Sequence, residues 1–274
     1  MRDLRGKTAF ITGAASGIGF GLAQAFAEAG MRLAITDIDE AALSGAATTL
    51  RDSGATVFAH RLNIADRAEW TQAADAAQSA CGSIDILCNN AGITAMGWEV
   101  DQIPPDLWDL GIGINLTGAF NGTREIAPRI KAQKSGGHIV FTASVSALRG
   151  RAGHAVYVAA KHGILGLADS LRGELAPHNI GVSVLAPGHV HTALHETSAK
   201  VRAAITDATG PGGEDTNINA PSALDPLELG RFTRDAVEAD RFFILSHAEF
   251  RGIVEDRHTA MMDAFDIAAT FRTP

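Results

Sequence analysis

Six short apolar runs, separated by longer stretches with helical spacing, fill the first 190 residues and leave this chain few architectures. They are Lys7 to Thr12, Arg32 to Thr36, Thr56 to Leu62, Ile84 to Cys88, His138 to Ala143 and Val182 to Ala186. Each is five to seven residues long, mostly apolar and often β-branched, as strands buried on both sheet faces are. The stretches between them read as helices: Ala160, Ile164, Leu167, Leu171 and Leu175 recur every three or four residues. Parallel strands need a crossover connection, so the alternation predicts an α/β fold, a doubly wound parallel sheet with helices on both faces.

The pattern changes after Pro187. From Ala193 to Pro226 the chain carries Gly210-Pro211-Gly212-Gly213 and Asn217-Ile218-Asn219, with a weak helical stretch from Val201 to Ile205. A long segment of this kind in a compact domain is a lid over a site or disordered, and a substrate lid spanning about 193–226 is expected. A seventh strand, Phe242 to Leu245, and a helix from Glu249 to about Ala269 close the chain. With no internal repeat and no linker, residues 1–274 are expected to form one domain.

Composition removes several function classes. Twenty-three Lys and Arg stand against 31 Asp and Glu, a formal charge of −8, and no basic stripe runs along the chain. Nucleic acid is therefore not an expected partner. Cys81 and Cys88 cannot build a disulfide framework and fit a reducing cytosol. No apolar run of about 18 residues exists to span a membrane. The apolar stretch after Lys7 is too short for a secretory signal, so a cytoplasmic location is expected.

Thr12-Gly13-Ala14-Ala15-Ser16-Gly17-Ile18-Gly19 follows the first strand and opens the first helix. Glycines there let the backbone approach a pyrophosphate, whose charge meets the helix N-terminus, as in Rossmann-type sheets. Asp37 lies 18 positions past Gly19, at the end of the second strand. A carboxylate at that place accepts hydrogen bonds from ribose hydroxyls and repels a 2′-phosphate. Neither Ser16 nor Ile38 is basic, so the expected cofactor is NAD, with an NADP-dependent reductase as the alternative.

Tyr157, the only tyrosine, precedes Lys161 by one helical turn in Tyr-Val-Ala-Ala-Lys. A free phenol titrates near pH 10, and a neighbouring ammonium favours its ionised form. Ser144 ends the fifth strand, 13 residues before Tyr157, on the side where open α/β sheets bind ligands. Its hydroxyl is placed to donate to a substrate oxygen while Tyr157 exchanges the proton.

The glycine spacing is G-x-x-x-G-x-G, and Asn89-Asn90-Ala91-Gly92 ends the fourth strand. With the Ser, Tyr and Lys positions, the chain resembles the short-chain dehydrogenase/reductase family in its single-domain form, closely over 5–192. The resemblance implies a catalytic set of Asn115, Ser144, Tyr157 and Lys161, with Asn115 holding a water that links Lys161 to solvent. It implies a cofactor groove built from Gly13, Ser16, Gly17, Ile18 and Gly19, and from Asp37, Ile38, Asn63 and Ile64. Asn90, Ala91, Gly92, Tyr157, Lys161, Pro187, Gly188, Val190 and Thr192 complete that groove. Asn63 departs from the family, which has Asp there, yet Asn keeps an acceptor oxygen. The family mostly forms tetramers, implying a homotetramer or homodimer through helices around Leu107 to Lys131 and Ala155 to Ala176.

The pocket is expected from loops beyond the strand ends: Met96, Trp98, Val145, Leu148 and Leu194 are apolar there, and Arg149, Arg151, His189 and His195 are basic. Of these, Met96, Val145, Leu148, His189, Leu194 and His195 are the expected substrate contacts. The stretch Phe242 to His247 is similar to family members acting on aryl or hydrophobic alcohols, including lignin-type dehydrogenases. His189, His191 and His195 lack a Cys or acidic cluster to complete a metal site, so no metal is expected. The implied reaction is hydride transfer between NAD and a hydrophobic or cyclic secondary alcohol or its ketone. A regulator that senses NAD(H) without turnover is the reading from another class; it would not need the proton-transfer residues. A sugar-nucleotide epimerase would want different glycine spacing and a larger C-terminal domain.

Overall fold

The computed structural model describes residues 3–203 and 222–271. Seven strands form one parallel sheet: β1 (Thr8–Thr12), β2 (Arg32–Asp37), β3 (Val57–Arg61), β4 (Ile86–Asn89), β5 (Gly137–Thr142), β6 (Ile180–Leu185) and β7 (Phe243–Ile244). Their order is β3-β2-β1-β4-β5-β6-β7, so the chain winds outward from β1 in one direction and then from β4 in the other. That reversal opens a crevice at the carboxyl ends of β1 and β4. Strand ends differ from the apolar runs by a residue or two because pairing, not hydropathy, sets them. Ile180 joins β6 by pairing with Gly137, and β7 shrinks to the two residues that face Val184 and Leu185.

Helices α1 (Gly17–Glu28), α2 (Glu40–Asp52), α3 (Arg67–Cys81), α4 (Pro105–Ile112), α5 (Ala119–Gln133), α6 (Ala155–Leu175), α7 (Leu194–Ala203), α8 (Pro226–Glu238) and α9 (Arg251–Phe271) make up the rest. Successive strand residues point to opposite faces. Phe10 packs with Trp70, Ile126 and Phe141 on one face, while Ile11 packs with Leu22, Phe26 and Val237 on the other. On the second face α1 and α8 cross with backbones nearly touching: a β-carbon at Gly21 would lie 2.1 Å from the Pro226 carbonyl oxygen.

Three expectations are corrected. The helix read around Leu107 to Lys131 is α4, a π-helical turn over Gly113–Gly118, and α5. The weak helix at Val201 is the end of α7, which starts at Leu194; Ile205 and the Gly210 and Asn217 motifs lie outside the described residues. The last helix is shifted two residues on and does not join the core: no residue of α9 is buried, and Met261, Met262 and Phe265 face solvent. Among the described residues no helix is long and apolar enough to cross a membrane.

Candidate active site

The crevice at the sheet's carboxyl end is a continuous cleft running from Asp37 and Asp39 past the glycine loop to Ser144, Tyr157 and α7. Its floor is fastened by polar crosslinks between strand ends. Asn90 donates from its side-chain amide to the carbonyl of Thr12 (2.9 Å) and accepts from the Thr142 hydroxyl (3.1 Å), tying β1, β4 and β5 together. The Thr12 hydroxyl accepts from the backbone N–H of both Asn90 and Ala91, each at 3.0 Å.

The glycine loop needs its glycines for two different reasons. Gly13 and Gly17 have φ of 65° and 52°, the left-handed region where side chains are disfavoured. A β-carbon on Gly17 would press on the Thr192 side chain at 3.0 Å, so the loop abuts the segment after β6. Gly19 does not line the cleft; its β-carbon would collide with the Gly13 carbonyl oxygen at 2.1 Å. It lets α1 start directly behind the loop. Ser16, the N-cap residue, makes no capping bond, and the first turn of α1 carries no acid, leaving its N–H groups and positive dipole end for an anion. Asp37 accepts from the N–H of Ala15 (3.2 Å) and of Asp39 (3.1 Å), while burial raises its carboxyl above the ordinary range.

At the other end β5 delivers Ser144 and α6 delivers Tyr157 and Lys161 to the same cleft. Lys161 is buried, donates from Nζ to the Thr142 carbonyl at 2.8 Å, and stands 5.5 Å from the centre of the Tyr157 ring. Burial pushes its ammonium down to about 8. Ser144 Oγ accepts from the Ser146 N–H at 3.1 Å, which starts the 3-10 turn over Val145–Ala147 and fixes where the hydroxyl sits.

Asn115 stands apart from the cleft wall. Its amide bonds both backbone groups of one residue: Oδ1 accepts from the Ile93 N–H at 2.8 Å and Nδ2 donates to the Ile93 carbonyl at 2.9 Å. The π turn carrying Asn115 is thereby locked to the strand end beside Gly92, where an added β-carbon would lie 2.8 Å from Asn115 Oδ1. Its side chain braces the wall that Lys161 shares.

Apart from Gly19, every residue expected in the cofactor groove lines the cleft. Of the expected substrate contacts, Met96, Val145, His189, Leu194 and His195 line it and Leu148 does not. The 3-10 turn carries Leu148 toward α9, where its carbonyl accepts from Arg257 at 2.9 Å. Arg149 lies in a separate groove with Arg257, and Trp98 packs on Ala95, Leu107 and Val156. Thr94 was not singled out by the sequence, yet it fastens α7: its N–H donates to Ser198 Oγ at 2.9 Å and its carbonyl accepts from Arg202. His247 was also missed. Its Nδ1 accepts from the Gly188 N–H at 3.1 Å, which leaves Nε2 to donate to the His189 carbonyl at 3.0 Å, clamping the loop after β6. Among the described residues no three His, Cys, Asp or Glu side chains group to hold a metal ion.

Known proteins resemble this arrangement over most of their length. The family model for short chain dehydrogenases matches residues 7–203. A C alpha-dehydrogenase of Sphingobium sp. strain SYK-6 is 32% identical over 270 residues, spanning 96% of this chain and 88% of that protein. A 1-deoxy-11-beta-hydroxypentalenate dehydrogenase of Streptomyces avermitilis is 37% identical over 247 residues, or 90% and 86% of the two chains. The crystal structure of a short chain dehydrogenase/reductase from Burkholderia phymatum in complex with NAD superposes with a TM-score of 0.90 at 32% identity, covering 96% of each chain. Matched in sequence across its sheet and in three dimensions across nearly its whole length, the chain belongs to the short-chain dehydrogenase family and is an oxidoreductase.

Proposed function

We propose that this protein oxidises a hydrophobic or cyclic secondary alcohol, or reduces the corresponding ketone, with NAD as the partner. The observation that supports this most directly is the buried Lys161 ammonium beside the Tyr157 ring, in the cleft that Ser144 also lines. When bound, the dinucleotide supplies a nicotinamide carbon that takes up or gives up hydride. The residues of the chain handle the proton. Ser144 donates a hydrogen bond to the substrate oxygen, and Tyr157 removes the hydroxyl proton as the carbonyl forms. With a pKa of about 8, Lys161 is mostly charged at neutral pH and stabilises the phenolate through space. Met96, Val145 and Leu194 offer the alcohol an apolar wall, and the relative from Streptomyces is named for a hydroxypentalenate substrate.

The residues present fit a dinucleotide. An uncapped helix N-terminus faces the cleft behind a loop too tight for side chains. The selection of NAD over NADP is proposed from charge. Asp37 lines the cleft next to Ile38, and the nearest strand cation, Arg61, is already paired with Glu69 at 2.9 Å. A 2′-phosphate there meets a carboxylate and, among the described residues of the cleft wall beside it, no guanidinium. The test is an absorbance screen of hydrophobic secondary alcohols at the reduced nicotinamide band, together with Kd values for NADH and NADPH. Turnover of alcohols with NAD and weaker NADPH binding are expected; equal affinities would overturn the use made of Asp37.

A further inference from the structure

The substrate end of the cleft carries both apolar and basic side chains. Met96, Val145 and Leu194 supply the first; Arg151 and His154, in the loop between Ser144 and α6, supply the second. The turn that carries this pair is pinned at both ends. The His154 N–H donates to the Arg151 carbonyl at 3.2 Å, and the Gly97 N–H donates to the Gly153 carbonyl at 2.7 Å, which ties the turn to the segment bearing Met96. His154 Nδ1 donates to the Ala152 carbonyl at 2.9 Å, so its Nε2 is the nitrogen left to meet a ligand.

Arg151 is the one arginine lining the cleft among the described residues, and it makes no ion pair with a described residue. Among the described residues the cleft wall carries only two carboxylates, Asp37 and Asp39, both at the opposite end beyond β2. Lys161, the buried cation of the cleft, donates to the Thr142 carbonyl, and the imidazoles of His189 and His195 line the same cleft. A guanidinium carried on a pinned turn, at an end of the cleft where no described carboxylate lines the wall, matches a planar carboxylate held at two points.

We propose that the alcohol or ketone handled here carries a carboxylate on an otherwise hydrophobic skeleton, and that Arg151, with His154 beside it, binds that carboxylate and selects for it. This rests on the dehydrogenase reading above. The experiment uses two ketones of the same shape, 4-acetylbenzoate and 4-acetylbenzamide, bound to the protein with NAD, a combination that cannot turn over. Calorimetry gives Kd for each with the parent protein, Arg151→Gln and Arg151→Lys.

The parent should bind the carboxylate more tightly than the amide. Arg151→Gln should weaken the carboxylate ketone about ten-fold or more and the amide less than about two-fold, with Arg151→Lys between, as for a charge-assisted bond lost. Raising the salt should narrow the gap between the two ligands. The proposal is overturned if the carboxylate binds no better than the amide, if it shows no binding at millimolar concentration, or if Arg151→Gln weakens both alike. The corresponding alcohols, offered with NAD and with NADP, separate the two layers. If Arg151 discriminates the carboxylate and neither alcohol is oxidised, the carboxylate subsite stands and the dehydrogenase reading falls.

Discussion

Lys161 should cost this protein stability while serving its chemistry, and the size of the cost follows from its position. The ammonium is buried, with one hydrogen bond to the Thr142 carbonyl, and its pKa falls from 10.5 to about 8. A lowering of roughly 2.5 units corresponds to about 3 kcal/mol disfavouring the charged form in the folded state. The unfolded chain keeps its proton up to about pH 10.4, so it binds more protons between pH 8 and that value. Folding stability contributed by this group therefore rises as pH climbs through that window and is lowest below pH 8. Lys161→Met removes the penalty but also the bond to Thr142, worth about 1 kcal/mol. The variant should be about 2 kcal/mol more stable at pH 7, or roughly 4–8 °C in Tm, while losing turnover. Chemical denaturation of both proteins at pH 7 and pH 10 is the assay. Cys81 and Cys88, whose thiols burial pushes up, lower stability at high pH in both proteins, so only the difference between the two curves counts. A gap that does not shrink from pH 7 to pH 10, or a variant less stable than the parent at pH 7, would refute the reasoning.

Other expectations follow from single features of the structure. Tyr157→Phe should lower kcat by much more than about ten-fold while leaving the Kd for NAD within a few-fold; retention of a tenth of kcat would rule out its acid/base role. His138 is wholly buried, donates toward Ser183 Oγ at 2.7 Å, and has its pKa pushed down to about 3 by burial. Asp240 stands 3.7 Å from its Nδ1 but is largely exposed, so it does not hold a proton there. Because the unfolded imidazole takes its proton near pH 6.5, stability should fall as pH drops from there toward 3, by up to about 1.4 kcal/mol per unit. His138→Asn should flatten that slope, and parallel curves would count against it. Gly21→Ala should destabilise by about 2–3 kcal/mol in urea titration, because the new methyl meets the Pro226 backbone rather than a side chain that can move aside.

The strands and most helices were legible because their signals are local. A run such as Ala34 and Ile35 is apolar on both faces whatever lies elsewhere, and Tyr157 and Lys161 share a helix face by spacing alone. The glycine loop and Asp37 were readable for the same reason, since a turn, a helix start and a strand end are written in neighbouring residues. Tertiary structure decided what depends on contacts remote in sequence. Asn115 bonds Ile93, 22 residues away, and the helix-like stretch that carries it holds a π turn. His247 reaches Gly188 across 59 residues and Arg202 reaches Thr94 across 108, and neither pairing leaves a trace in local pattern. Proximity to Ser144 in the chain puts Leu148 at the pocket, but a 3-10 turn carries it toward α9. Periodicity records which way a side chain faces within its own element; which residue waits there is settled only when the elements pack.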